Sequence, residues 1–241
     1  MRRAFHEELD TITEQLVEMT RLTASALTRA TQALMDRDLE LAESVISADD
    51  EIDELRREVD ERCVDALARQ QPVATDLRIV VTAMRMAADL ERMGDLARHV
   101  AKLARLRYPQ SAITPSLRST FSEMAHVGES MVIRTGSIIA AHDIEGAAQL
   151  QREDDQMDEL HREVFTRLLS GSWDEGIEAA VDATLLSRYY ERFADHAVSV
   201  AHRVNYLVTG EWTEEERTSE ERLEAERYAN RSERAREVGR P

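Results

Sequence analysis

The sequence predicts an all-α protein built as two tandem three-helix bundles related by an internal repeat. Three observations carry that expectation. Only eight Gly and four Pro punctuate 241 residues that are otherwise rich in Ala, Leu, Glu and Arg, all strong helix formers. Apolar residues recur at helical spacing between the breakers. The second half then repeats motifs of the first in the same order.

Phe5, Leu9, Ile12, Leu16, Met19, Ala26, Ala30 and Leu34 form the stripe of a first helix. Asp38 can cap a second, whose stripe runs Val45, Ile52, Leu55, Val59, Cys63, Leu67 before Pro72 ends it. Thr75 can cap a third helix reaching Arg107. Tyr108-Pro109-Gln110-Ser111-Ala112-Ile113-Thr114-Pro115 is the clearest linker, and Thr114 before Pro115 suits an N-cap with proline at the first helical position. A fourth helix runs to about Ala141, a fifth from Asp143 to Leu169, and a sixth from Trp173 to about Val208. The first bundle thus spans residues 5–107, the second 114–209, and a charged tail 210–241.

The repeat is explicit in two places. Asp49-Asp50-Glu51-Ile52-Asp53-Glu54-Leu55-Arg56-Arg57-Glu58-Val59 returns 105 residues later as Asp154-Asp155-Gln156-Met157-Asp158-Glu159-Leu160-His161-Arg162-Glu163-Val164. Glu91-Arg92-Met93-Gly94-Asp95-Leu96-Ala97 returns 100 residues later as Glu191-Arg192-Phe193-Ala194-Asp195-His196-Ala197. Long-period self-similarity of this kind marks a duplicated supersecondary unit.

What recurs is carboxylates four apart: Asp49 with Asp53, Glu91 with Asp95, Asp154 with Asp158, Glu191 with Asp195. Residues i and i+4 share a helix face, so each pair converges. An isolated pair is usually only a solvated face. On the third helix, at about 100° per residue with Met84 at zero, Leu77, Val81, Ala88, Glu91 and Asp95 all fall within about 60° of it. Arg78, Thr82, Arg85 and Asp89 lie on the far side. The acids thus continue an apolar face, as Asp49 and Asp53 flank the Val45–Ile52–Val59 stripe. Adjacent acids on a half-buried face resist ionisation unless a cation compensates. All-oxygen ligation favours hard ions, and Arg56 and Arg92 are the competing source of charge. Arg56 becomes His161 in the second half while both acids persist; Arg92 recurs as Arg192. Thr184 and Arg188 replace Met84 and Ala88, so the second site is expected to be more exposed or weaker.

Charge and composition narrow the function. There are 31 Lys+Arg against 48 Asp+Glu, a formal net charge of −17. The segment after Gly210 contributes ten Glu and seven Arg, so most of the acidity belongs to the folded body. Such a body repels phosphate backbones and anionic lipid, which argues against direct nucleic-acid binding and favours cations or partners with basic faces. Cys63 is the sole cysteine, so no intrachain disulfide can form. No uninterrupted apolar run approaches the ~20 residues of a membrane helix, and the N-terminus lacks an apolar signal core. The expected location is cytoplasmic.

Leu67-Ala68-Arg69-Gln70-Gln71-Pro72-Val73-Ala74-Thr75-Asp76-Leu77-Arg78-Ile79-Val80, followed by Asp89-Leu90-Glu91-Arg92-Met93-Gly94-Asp95, resembles the signature of PhoU proteins. Tyr190-Glu191-Arg192-Phe193-Ala194-Asp195-His196-Ala197 resembles its second copy, and the likeness covers roughly residues 5–209. Met93-Gly94 and Phe193-Ala194 stand where the family usually has Ile-Gly. The resemblance implies two multinuclear metal sites, with iron or zinc in relatives, while the all-oxygen ligand chemistry itself favours magnesium, manganese, calcium or iron. Carried over by position, the ligands are Asp49, Asp53, Glu91 and Asp95, then Asp154, Asp158, Glu191 and Asp195. It also implies a non-enzymatic negative regulator of phosphate uptake and of the phosphate-starvation response. Its implied partners are the phosphate ABC transporter's ATPase subunit and the phosphate-sensing histidine kinase. Homodimerisation, and membrane association only through partners, are implied as well.

Two other readings compete. A di-metal carboxylate enzyme or metal-storage bundle would place Glu-x-x-His on paired helices, and no such motif recurs here. A purely structural adaptor would leave the acids solvated. His99 and His196 lie beside the acids but do not recur between halves. Cys63 sits in a core stripe, and Trp173 and Trp212 lie near helix ends as packing residues. No P-loop or Gly-rich dinucleotide turn is present.

Overall fold

The computed structural model describes residues 2–211, with side chains from Phe5 onward. Six long helices follow in chain order: α1 (Arg2–Asp36), α2 (Leu39–Gln70), α3 (Thr75–Arg107), α4 (Arg118–Ala141), α5 (Ile144–Leu169) and α6 (Gly176–Thr209). A 3-10 turn at Pro115–Leu117 leads into α4. The described residues contain no strand, as the sequence predicts.

The repeat-related aspartates cap as expected. Asp38 accepts from the Leu41 amide at 2.9 Å and Asp143 from the Gly146 amide at 3.0 Å, each satisfying an otherwise orphan first-turn donor. α2 ends on Gln71, whose left-handed backbone (φ 46°) turns its amide back to Leu67 O just before Pro72. Thr75 does not cap α3. Ala74 holds the N-cap position with φ 50°, a backbone that turns the chain into α3 without a side-chain cap. α6 begins at Gly176 rather than Trp173. Trp173 stays in the preceding turn, packs on the core and donates its indole N–H to Gly176 O.

Each half closes as an antiparallel three-helix unit, and the halves join along α1–α4 and α3–α6. Buried residues from both, including Leu16, Met19, Leu90, Met93, Phe121, Met124 and Phe193, form one continuous core. α3 therefore has α1, α2 and α6 as neighbours, which corrects the single apolar face read from the sequence. Its buried stripe (Ala83, Ala87, Leu90, Gly94, Ala97) lies about 100° around the helix from Met84. Met84 is only half-buried, and Leu77 and Val81 are exposed. The face expected to be polar packs against α6 instead. Thr82 is buried there, Arg78 lies over the Tyr206 ring, and Asp89 pairs with Arg203 at 2.7 Å and His196 at 3.1 Å. At the other end of the same pair, Arg107 grips buried Asp182 at 2.6 Å and also contacts Glu178. No described helix is long and apolar enough to cross a membrane.

Candidate metal centre

The two acidic seams form where α2 meets α3 and where α5 meets α6. The buried stripe of α2 is Ala42, Val45, Asp49, Ile52, Val59, Cys63 and Ala66, so Asp49 occupies a core position in an otherwise apolar series. Gly94 on α3 allows the approach: a Cβ there would meet Ile52 Cδ1 at 2.9 Å and Asp49 Oδ1 at 3.3 Å. Asp49 is only 5% exposed, while Asp53, Glu91 and Asp95 line the half-buried margin. All four predicted residues of the first half thus border one seam.

Their charges act on one another. Burial pushes the Asp49 carboxyl up to about 6; Arg98 opposes this, and Asp53, Asp95 and Glu91 add to it. Glu91 is also raised, first by burial, then by Asp95, with Arg56 pulling down. The decisive counter-charge was not legible in the sequence. Arg98, one turn beyond Asp95, lays its guanidinium across the seam. Its Nη1 stands 2.6 Å from Asp49 Oδ2, and its Nη2 contacts Asp95 Oδ1. Arg92 holds the other Asp95 oxygen at 3.0 Å. Position on the face of Glu91 and Asp95 was the available signal, but only the packing shows which carboxylates so long a side chain reaches.

The second seam repeats the acids without that bridge. Val198 occupies the position equivalent to Arg98. Burial, then Asp195, Asp158, Glu191 and Asp155, push Asp154 up to about 7; no cation appears among those influences. Glu191 is raised by burial and Asp195 although Arg188 contacts one of its oxygens from the half-exposed rim; Oε2 is buried without a hydrogen-bond partner. Asp195 is raised by burial against the pull of Arg192 and Arg188. His161, in place of Arg56, bonds Ser187 Oγ through Nδ1 at 2.6 Å, and burial lowers its pKa toward the neutral form.

The histidines noted in the sequence take other roles. His99 Nδ1 meets Asp95 O at 2.6 Å, with its ring against Tyr189, and His196 faces Asp89 across α3–α6. Among the described residues no three His, Cys, Asp or Glu side chains converge closely enough to hold an ion as they stand. The chemistry of the second seam nonetheless fits a hard cation: an all-oxygen set, an orphaned buried Glu191 oxygen, and carboxylates within electrostatic reach of one another. Ligation there needs side-chain rotation. The first seam also has a buried oxygen without a hydrogen-bond partner, Asp49 Oδ2, but there the Arg98 guanidinium lies 2.6 Å away and supplies the opposite charge.

Outside the seams, exposed apolar residues recur at repeat-related positions near the α2–α3 and α5–α6 turns: Val64 with Leu169, Leu77 with Ile177, Val81 with Val181. In the second half, Phe165, Leu169, Trp173, Ile177, Val181 and Leu185 line an open groove of about 590 Å³.

Fold and seams together define a duplicated three-helix scaffold carrying a set of acids between the second and third helices of each copy. The family profile described as PhoU domain matches twice, over residues 16–104 and 121–204, and the chain belongs to the PhoU family. It is 50% identical over 210 residues to phosphate-specific transport system accessory protein PhoU homolog 2 of Mycobacterium tuberculosis, covering 87% of this chain and 99% of that one. It is 45% identical to PhoU homolog 1 of Mycobacterium leprae, over 90% of this chain and 97% of the relative. The crystal structure of the phosphate transport system regulatory protein PhoU from Streptococcus pneumoniae superposes with a TM-score of 0.79 at 26% identity, over 87% of this chain and 99% of that chain. PhoU from Pseudomonas aeruginosa gives 0.78 at 31% identity, over 86% and 100%.

Proposed function

We propose that this protein is a cytoplasmic accessory regulator of phosphate uptake that represses transport and the phosphate-starvation response when phosphate is plentiful. It acts without catalysis, by docking on the phosphate transporter's ATPase subunit and on the phosphate-sensing histidine kinase, and it works as a homodimer. The observation that carries the metal-dependent part is the second seam, where Asp154, Asp158, Glu191 and Asp195 act on one another with no bridging guanidinium among the described residues. When bound, a hard cation such as iron, manganese or magnesium, or the borderline ion zinc, would supply the charge these acids lack. The chain's own part is to present the four carboxylates from two helices, so that α5 is held to α6 when their repulsion is relieved. The apolar groove at the end of that helix pair, bordered by Asp174, suits an apolar, basic face of the transporter ATPase.

The test is the isosteric variant Asp154→Asn/Asp158→Asn/Glu191→Gln/Asp195→Asn in a host lacking its own copy. The expected result is loss of metal from the purified protein, loss of ATPase co-purification, and derepressed phosphate-starvation genes. Normal repression by a metal-free variant refutes the metal dependence.

A further inference from the structure

We infer that Arg98 is a resident counter-cation that closes the first seam, so that the two halves are unequal and metal loads the α5–α6 seam ahead of the α2–α3 seam. The inference rests on the metal reading above and deepens it.

Three features support it. The Arg98 guanidinium spans the two helices, meeting Asp49 on α2 and Asp95 on α3, where a metal ion joining those helices would need to bind. It is well placed to stay: Asp49 is 5% exposed and the Arg98 side chain 26%, so both charges are largely out of water and each depends on the other. Arg92 occupies the remaining Asp95 oxygen from the rim, so that both of its carboxylate oxygens are engaged. The repeat then provides an internal control. The acids are kept in both halves, but Arg98 becomes Val198, which has no charge to offer. Arg188 is no substitute: it reaches Glu191 along its own helix and leaves Asp154 without an ion pair among the described residues. A metal entering the first seam must displace a paired guanidinium and leave it stranded. A metal entering the second meets no such bridge among the described residues. This reverses the expectation that the second site is the weaker.

The experiment uses the full-length protein, stripped with chelator and dialysed against low micromolar Zn²⁺, with bound zinc counted by elemental analysis and folding checked by circular dichroism. In the wild-type background, Glu191→Gln/Asp195→Asn is expected to remove nearly all bound zinc, and Glu91→Gln/Asp95→Asn almost none. Arg98→Met, which keeps the apolar stem and removes the charge, is expected to raise bound zinc about twofold and to gain thermal stability on zinc addition. Val198→Arg is expected to lower zinc severalfold. Equal zinc loss from the two wild-type half-variants overturns the inference while leaving the metal reading intact, even if Arg98→Met does not fold. A folded Arg98→Met with unchanged zinc also overturns it. Absence of zinc from every protein overturns this inference for zinc, and absence of iron, manganese and magnesium as well in the same dialysis sinks the metal reading with it.

Discussion

Replacing Asp154 by asparagine removes the most strained carboxyl of the second seam while keeping its size. The group is pushed from its ordinary 3.8 to about 7, chiefly by burial and then by Asp195, Asp158 and Glu191. At about 1.4 kcal/mol per pKa unit, a shift of this size opposes folding by up to about 4 kcal/mol once the carboxyl is ionised in both states. Because the folded state holds its proton more tightly than the unfolded chain does, the metal-free protein should lose stability as pH rises from about 4 to about 7. The loss should be complete above that window and absent below it. The asparagine side chain has no such proton to lose, so the variant should escape this decline. With 1 kcal/mol corresponding to roughly 2–4 °C at this chain length, the gain at pH 8 is about 5–15 °C in Tm. The assay is thermal unfolding at 222 nm in chelator at pH 4 and pH 8, repeated at pH 8 with saturating metal. Metal should lift the wild type toward or past the variant, since only the wild type keeps the full ligand set. Two results refute the reasoning: no gain for Asp154→Asn at pH 8 in chelator, or the same gain at pH 4 as at pH 8.

Other perturbations test the frame that holds the seams. Tyr190→Phe removes a fully buried hydroxyl that lies 2.6 Å from Thr31 Oγ1; Thr31 keeps its bond to Leu27 O, so denaturant unfolding should show a loss of about 1–2 kcal/mol. Gly94→Val places a branched side chain where even a Cβ meets Ile52 Cδ1 at 2.9 Å; overpacking of about 1–3 kcal/mol should lower the denaturant midpoint, more than Gly94→Ala does. Cys63 is fully buried, with burial pushing its thiol up to about 12; the native protein at pH 8 should resist iodoacetamide, and alkylation should appear only on unfolding.

Much of this fold was legible because the duplication writes it twice. Asp38 and Asp143, 105 residues apart, mark both second helices, and both do cap. The eight acids could be placed at two seams because each returns at its expected offset. The orientation of α3 was not legible. A helix packed on three sides has no single apolar sector, so a wheel centred on Met84 misses a core centred near Leu90 and takes the α6-facing row of Arg78, Thr82 and Asp89 for a solvent face. Arg98 was missed for a related reason. Its position puts it on the face of Glu91 and Asp95; in the fold its stem is long enough to carry the charge back across the seam. The start of α3 differs because Ala74, not Thr75, makes the turn, a backbone choice that no side-chain capping pattern announces.

The two halves are not separate bodies: α1 lies on α4, α3 lies on α6, and one core runs through both. A pair of identical half-length chains could build nearly the same shape, but any residue placed in one would be imposed on the other. Joining the copies through residues 108–114 releases that constraint. One copy is then free to carry the Arg98 guanidinium across its acids, while the other has Val198 at that position. Asymmetry becomes heritable in a body built from two copies of one unit, and a surface touching both copies meets a bridged seam in one and an unbridged seam in the other.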